Sequence, residues 1–306
     1  MNVHLVLFLV SLFYGILFSW AGEIMPKYLN AEALVWMRIA FATLAFHLIG
    51  VFGKSSKIDW KKHGLELAIC GFFGTSANMY LFFKGLQSTF PINAAVLMLA
   101  TPLFVAIFDH IRLKAQPKTS FMLALMIAAI GCFKLLTENN NTFTRETRIG
   151  DLLVLINAIF YAIYLVRIKK LTAIYPPITL NKWTFSFGFL FITPLGIPAL
   201  MSANFNAIPN PIWGKIIYIL VVMSFLVYFM NAYAVKIAGP TLTGIYIYLQ
   251  PLLATIIAFI LQTDSVSLMK VVWILVVLIA TFYATRKSPK AKSSLQHLIK
   301  ICNFAN

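Results

Sequence analysis

The stretch SLFYGILF, residues 11–18, returns 147 positions later as AIFYAIYL, residues 158–165. Each copy lies inside a long apolar run, at about 4–22 and about 150–168. A helix needs about 20 mostly apolar residues to cross the hydrocarbon core of a bilayer. The repeated stretch therefore predicts two transmembrane helices that hold equivalent places in two related halves of the chain.

Apolar runs of similar length occur on both sides of these two. They are continuous rather than alternating, which favours helices over barrel strands, because each helix satisfies its own backbone. The predicted spans are about 4–22, 33–52, 64–83, 92–111, 119–136, 150–168, 180–200, 213–235, 240–261 and 268–285. The fold prediction is an all-α membrane protein with ten transmembrane helices.

The composition agrees with a surface that lipid covers. Of the 306 residues 60% are hydrophobic and only 11% are charged, whereas soluble domains carry about 25% charged residues. The formal net charge of +16 comes from Lys and Arg in the short breaks between runs and in a basic tail, 287–306. Since these residues do not form one basic face of a soluble domain, nucleic-acid binding is not expected.

Other residues repeat in the same order as the two opening stretches. The pairs are Trp36 with Trp183, Asn78 with Asn231 and Pro102 with Pro251, at offsets between 147 and 153. These matches divide the chain into a first five-helix repeat, 1–140, and a second, 149–286. Because five spans is an odd number, the second repeat must enter the membrane from the opposite side. Inverted repeats of this kind are typical of secondary transporters.

The distribution of positive charge predicts the orientation. With the N-terminus in the cytoplasm, 17 Lys and Arg residues fall on the cytoplasmic side and 7 on the other, with Arg38 inside a span. Cytoplasmic loops of membrane proteins carry the excess of Lys and Arg. We therefore predict a multi-pass protein of the plasma (cell inner) membrane, with both termini and the basic tail in the cytoplasm.

Several motifs resemble the EamA-type transporters of the drug/metabolite transporter superfamily. They are WMRIAFA at 36–42, FKGL at 83–86 followed by Thr101-Pro102, AIG at 129–131, KIAGP at 236–240 and LQPLL at 249–253. The resemblance covers about residues 5–286. It implies ten helices in a five-plus-five inverted repeat and transport of amino acids, nucleoside-like compounds or related metabolites, with export and uptake both open.

Arg38 is the one Lys or Arg well inside a predicted span. A charge at the bilayer centre costs about 2.5–3.5 kcal/mol on insertion scales, so such a residue is a functional hypothesis by default. Arg38 either anchors an anionic substrate group, pairs with another residue in a gate, or reaches outward to the lipid headgroups. The sequence alone leaves all three interpretations open.

Amide and aromatic side chains inside the spans are the other candidate site residues. Asn78 and Asn231 either face a cavity or hydrogen-bond between helices, and Asn157 stands one turn from Tyr161, so these two share a face. The predicted cavity residues are Tyr14, Arg38, Asn78, Asn157, Tyr161, Trp183, Asn231, Tyr248 and Gln250. Pro102 and Pro251 stand about a dozen residues into their spans and are predicted to kink helices for gating or packing.

These observations predict a secondary transporter that moves small organic metabolites by alternating access. No Walker A motif occurs in the sequence, so the chain itself is not expected to use ATP. The alternative is a non-transporting membrane sensor or scaffold. A membrane-embedded enzyme, which would need an acid pair, a His/Asp cluster or a metal motif in one layer, is less favoured.

The expected partners are a small-molecule substrate and the lipid bilayer, and a homodimer is left open. No catalytic residue, cofactor or metal is predicted. All nine acids lie in loops or near span ends, which leaves the coupling mode open.

Overall fold

A computed structural model describes the chain over residues 2–52, 55–89, 94, 97–113, 118–137, 148–260 and 268–287. Over these ranges every regular element is a helix, and no strand occurs. The predicted all-α class is therefore confirmed. The basic tail lies outside the described residues, apart from Lys287.

Six α-helices have described bounds in the first half of the chain. They are α1 (Val3–Ile24), α2 (Ala31–Phe52), α3 (Trp60–Gly71), α4 (Ala77–Ser88), α5 (Thr101–Leu113) and α6 (Thr119–Thr137). The Asp59 side chain caps α3 by accepting a hydrogen bond from the Lys62 backbone N–H. That bond lowers the pKa of the exposed Asp59 carboxyl and marks where the loop ends.

The second half also contains six helical elements among the described residues. They are α7 (Arg148–Thr172), α8 (Pro177–Met201), α9 (Asn210–Tyr218), α10 (Val227–Ile245), α11 (Leu249–Ile260) and α12 (Leu268–Lys287). Pro177 begins α8, where the missing backbone N–H costs no helical hydrogen bond.

Six stretches of the described chain are long and apolar enough to cross a membrane. They are Val3–Ile24, Ala31–Val51, Trp60–Ser88, Arg148–Thr172, Pro177–Met201 and Asn210–Tyr248. Shorter apolar helices cover Thr119–Gly131 and Val271–Ala284. Large apolar side chains point outward from these helices, such as Leu65, Leu190 and Ile279, which are 77%, 66% and 68% exposed. A surface of this kind matches lipid rather than water.

Two of the long stretches contain a π-helical turn, in which the backbone hydrogen bond spans one residue more than in an α-helix. One turn, Phe72–Ser76, joins α3 to α4, and the other, Ile219–Leu226, joins α9 to α10. Such turns occur often at functional sites. Composition did not predict either of them.

Pro102 and Pro251 each lie directly after an interruption of the helix inside a predicted span. Pro102 is the second residue of α5 and follows a turn at Leu99 and Ala100. Pro251 is the third residue of α11 and follows a 3-10 turn at Tyr246–Tyr248. Both prolines therefore lie in the first turn of a helix, where their lack of a backbone N–H is tolerated. Their role in kinking the spans for gating or packing stays a prediction.

Glycines allow the helices to approach each other closely. A Cβ atom on Gly85 of α4 would lie 2.8 Å from the carbonyl oxygen of Gly150 in α7, and one on Gly150 would lie 2.9 Å from the Gly85 carbonyl oxygen. Small residues are the usual means of packing helices in a membrane, because lipid supplies no hydrophobic drive between them. The α4–α7 contact joins the two halves, and a cavity lies beside it.

Candidate functional site

A small cavity lies inside the helix bundle where the two halves meet. Eight lining residues come from the first half and five from the second. They are Tyr14, Leu17, Arg38, Asn78, Met79, Phe82, Phe83, Met98, Asn157, Tyr161, Tyr228, Ile247 and Gln250. The volume is about 40 Å³, enough for a few water molecules, each of which needs about 10–15 Å³ measured in this way.

The Arg38 side chain is 2% exposed and lines this cavity. Its Nε donates a hydrogen bond to the hydroxyl of Ser224 at 2.9 Å, and its guanidinium carbon lies 4.7 Å from the centre of the Phe83 ring. Ser224 belongs to the π-helical turn before α10 and donates to the Ile219 carbonyl oxygen at 3.0 Å. Arg38 is thus held inside the bundle, and not outward toward lipid.

No ion pair among the described residues involves Arg38. None of the described lining residues is an Asp or a Glu. The carboxylates lie elsewhere: Glu32 pairs with Lys84 at 2.8 Å and Glu66 with Arg167 at 2.9 Å, both across helices. The cavity therefore carries one cationic side chain without a carboxylate from the described chain to balance it.

Two asparagines link α4 to α7 at the cavity. The Nδ2 of Asn157 donates to the backbone carbonyl oxygen of Asn78 at 2.6 Å, and the Nδ2 of Asn78 approaches the carbonyl oxygen of Asn157 at 3.5 Å. The Oδ1 of Asn157 is buried and accepts no hydrogen bond from any described residue. The two alternatives foreseen for Asn78 thus coexist, since it lines the cavity and bonds between helices.

Tyr161 extends the site toward a second, smaller cavity. Its hydroxyl accepts a hydrogen bond from the Nδ2 of Asn231 at 3.1 Å. Asn231 lines this adjoining cavity, which shares Tyr14, Tyr161, Ile247 and Gln250 with the main one. Asn157 and Tyr161 do share a face, as their spacing predicted.

The structure places Trp183 and Tyr248 away from the cavity. Trp183 packs edge-on against Trp60, with ring centres 4.5 Å apart, and lines a separate groove with Lys57 and Lys182. Tyr248 is fully buried in the core, and its hydroxyl donates to the Leu125 carbonyl oxygen of α6 at 3.0 Å. Neither is among the described residues that line the main cavity, so the predicted set is corrected at these two positions.

Sequence reasoning missed Tyr228, although a signal for it exists. Its hydroxyl donates to the Gly74 carbonyl oxygen at 3.0 Å, which ties α10 to the other π-helical turn. Met79 and Tyr228 are 149 positions apart, as are Met98 and Ile247, while Tyr14 and Tyr161 are 147 apart. All six residues line the cavity, so the repeat offset applied to Met79 would have found Tyr228.

The EamA-like transporter family matches this chain over residues 1–137 and 148–286. The chain belongs to that family. Its motifs at 36–42 and 249–253 carry Arg38 and Gln250, both of which line the cavity. Family membership and the long apolar helices together make the chain a multi-pass membrane protein of a transporter family rather than a member of a known enzyme family.

Individual relatives are consistent with this assignment. The uncharacterized transporter YyaM of Bacillus subtilis is 24% identical over 303 residues, which cover 98% of this chain and 99% of the relative. An uncharacterized transporter of Archaeoglobus fulgidus is 27% identical over 209 residues, covering 67% of this chain and 69% of that one. A protein of known crystal structure has the same fold, with a TM-score of 0.74 and 14% identity over 94% of this chain and 98% of its own.

Proposed function

We propose that this protein is a secondary transporter that moves small organic metabolites, such as amino acids or related compounds, by alternating access. The observation that carries the proposal is the cavity between the two halves, into which Arg38 brings a positive charge that no described carboxylate balances. The proposed substrate group at Arg38 is a carboxylate. A buried arginine offers several hydrogen-bond donors to such a group.

The proposed architecture is ten spans in two inverted five-helix repeats, 1–140 and 149–286. Matching irregularities support it, because both halves have a π-helical turn in their third span, at Phe72–Ser76 and Ile219–Leu226. Both halves also have a proline in the first turn of a helix that follows a turn, Pro102 in α5 and Pro251 in α11. The two stretches of the family match end close to the predicted repeat boundaries.

Alternating access follows from this architecture on physical grounds. Two similar halves can exchange conformations, so that the outward-open and inward-open states have comparable free energies and share a site near the midplane. A cavity of about 40 Å³ is too small for an amino acid. Binding of such a substrate therefore requires a wider conformation.

The proposed location is the plasma (cell inner) membrane with both termini in the cytoplasm, supported by the 17 to 7 distribution of Lys and Arg. The proposed partners are the substrate and the bilayer.

Reconstitution into liposomes tests the proposal. Purified protein is expected to take up at least one labelled carboxylate from a metabolite panel, with saturation and without ATP. Arg38→Gln should lower this uptake about tenfold or more while the protein still inserts and folds, since hydrogen bonds to charged groups contribute about 1.5–3 kcal/mol. If the folded wild type moved no solute but retained a stable protein partner, a scaffold role would replace the transporter.

A further inference from the structure

The Oδ1 atom of Asn157 is a buried acceptor that no described donor reaches. The residue is 1% exposed and lines the main cavity. Its Nδ2 is already engaged with the Asn78 carbonyl oxygen at 2.6 Å, which fixes the amide so that Nδ2 faces α4. Buried polar atoms in folded proteins almost always have a partner, so one that lacks it calls for an explanation.

The chemistry of this atom complements that of Arg38 on the same cavity. A guanidinium only donates hydrogen bonds, whereas an amide oxygen only accepts them. A ligand that satisfies both must bring an acceptor group to Arg38 and a separate donor to Asn157. Met79, Phe82 and Phe83 add apolar surface between the polar groups, which suits an apolar ligand body.

We propose that the transported substrate is a carboxylate with an additional hydroxyl or amino donor, and that Asn157 selects for this donor. The inference rests on the proposed function, because it takes Arg38 as the carboxylate anchor. An amide oxygen accepts from a neutral hydroxyl and from an ammonium group alike. A carboxylate without the donor would leave Oδ1 unpaired once the ligand fills the cavity, and buried polar groups that lose their partner are the strongest source of discrimination between similar ligands.

Matched ligands test this selection on the purified full-length protein. The probes are L-phenylalanine and 3-phenyllactate, which carry the donor, 3-phenylpropionate, which lacks it, and 3-phenylpyruvate, which has an acceptor in its place. Affinity is measured from the ligand dependence of thermal stability, since a ligand that binds only the folded state stabilises it. We expect the donor-bearing acids to bind about tenfold more tightly than 3-phenylpropionate, and 3-phenylpyruvate to bind most weakly.

Asn157→Leu should abolish the preference for donor-bearing acids while 3-phenylpropionate still binds. The matched control is Asn181→Leu. Asn181 is also a buried asparagine with an unpaired amide atom, but it lies in α8 and is not among the described lining residues. The control should keep the wild-type preference.

Three results would overturn the inference: equal wild-type affinity for 3-phenyllactate and 3-phenylpropionate, no wild-type binding of any of these acids, or an Asn157→Leu protein that binds all of them more weakly with the preference intact. Equal wild-type affinities overturn the inference even if the variant fails to fold. A wild type that prefers donor-bearing acids but moves none of them across liposomes would contradict the transport proposal and leave the selection for a donor group supported.

Discussion

The π-helical turns of the two halves use equivalent hydroxyl groups for different purposes. Thr75 and Ser224 are 149 positions apart. Both hydroxyls donate to a carbonyl oxygen of their own helix, Thr75 to Gly71 at 2.5 Å and Ser224 to Ile219 at 3.0 Å. The Thr75 hydroxyl also lies 3.3 Å from the Thr184 carbonyl oxygen of α8, whereas the Ser224 hydroxyl accepts from the Nε of Arg38 in α2 at 2.9 Å. The first turn therefore contacts backbone, and the second contacts a charged side chain.

The surroundings of the two turns differ in the same way. A Cβ on Gly71 would lie 2.7 Å from the Thr184 carbonyl oxygen, so the first crossing has backbones in direct contact. At the second crossing Arg38 lies beside a cavity. The position 147 residues after Arg38 is Phe185, which is fully buried and packs on Tyr228 with ring centres 4.9 Å apart. Equivalent positions thus serve close packing in one half and border a cavity in the other.

The largest expected effect comes from crowding the first crossing. A Cβ on Gly188 would lie 1.9 Å from the Thr75 hydroxyl oxygen, so Gly188→Val should destabilise the protein by about 3 kcal/mol or more and lower the yield of folded protein. Thermal melting in detergent measures this. Gly214→Ala serves as the control, because a Cβ there meets nothing within 4 Å. Equal melting temperatures for the two variants would mean that the first crossing is not a packing contact.

The second largest effects are expected from substitutions at Arg38 and at Phe185, the equivalent position in the second half. Arg38→Gln should weaken carboxylate binding about 10- to 100-fold with little change in melting temperature, because it removes a charge-assisted contact with substrate. Phe185→Leu should do the opposite, costing about 1 kcal/mol of stability with affinity unchanged. Ligand-dependent melting of both variants gives the two quantities together. If both variants lost carboxylate affinity equally, Arg38 would not be the ligand-binding position and Phe185 not the packing position.

A smaller effect is expected from the hydroxyl partners of the two turns. Ser224→Ala leaves the Nε of Arg38 without its acceptor, so carboxylate affinity should fall about three- to tenfold as the guanidinium loses its fixed position. Thr75→Val, the corresponding change in the first half, should lower stability only. Loss of affinity in Thr75→Val and not in Ser224→Ala would reverse the assignment of the two turns.

The smallest expected effect is at Asn231, whose amide donates to the Tyr161 hydroxyl. Hydrogen bonds between membrane helices contribute about 0.6 kcal/mol on average. Asn231→Leu should therefore lower stability by about that amount and leave the preference among carboxylates unchanged. A loss of affinity as large as in Arg38→Gln would move Asn231 into direct contact with substrate.

The sequence predicted the positions of the long helices well. The predicted span 4–22 corresponds to Val3–Ile24, and 180–200 corresponds to Pro177–Met201. A membrane helix is recognisable in the sequence because it needs about 20 mostly apolar residues to cross the hydrocarbon core, whichever helices it packs against. The π-helical turns leave no such mark, because they change the backbone hydrogen-bond spacing and not the composition.

The face that each helix turns toward the cavity was harder to predict. In water an apolar stripe shows the buried side, but in a bilayer both the lipid side and the core side are apolar. The strongly polar residues Arg38 and Asn157 do line the cavity, and their contact with substrate stays a prediction. Trp183 and Tyr248 were misplaced, since aromatic side chains suit a cavity, a core and an interface equally well.

An experimental structure of the protein with a transported carboxylate bound tests most directly whether Arg38 binds the substrate in this cavity. We expect ligand density between α2, α4 and α7, with carboxylate oxygens within about 3 Å of the Arg38 guanidinium nitrogens. Ligand density elsewhere, for example in the groove beside Trp183, with Arg38 bound only to Ser224, would contradict this expectation.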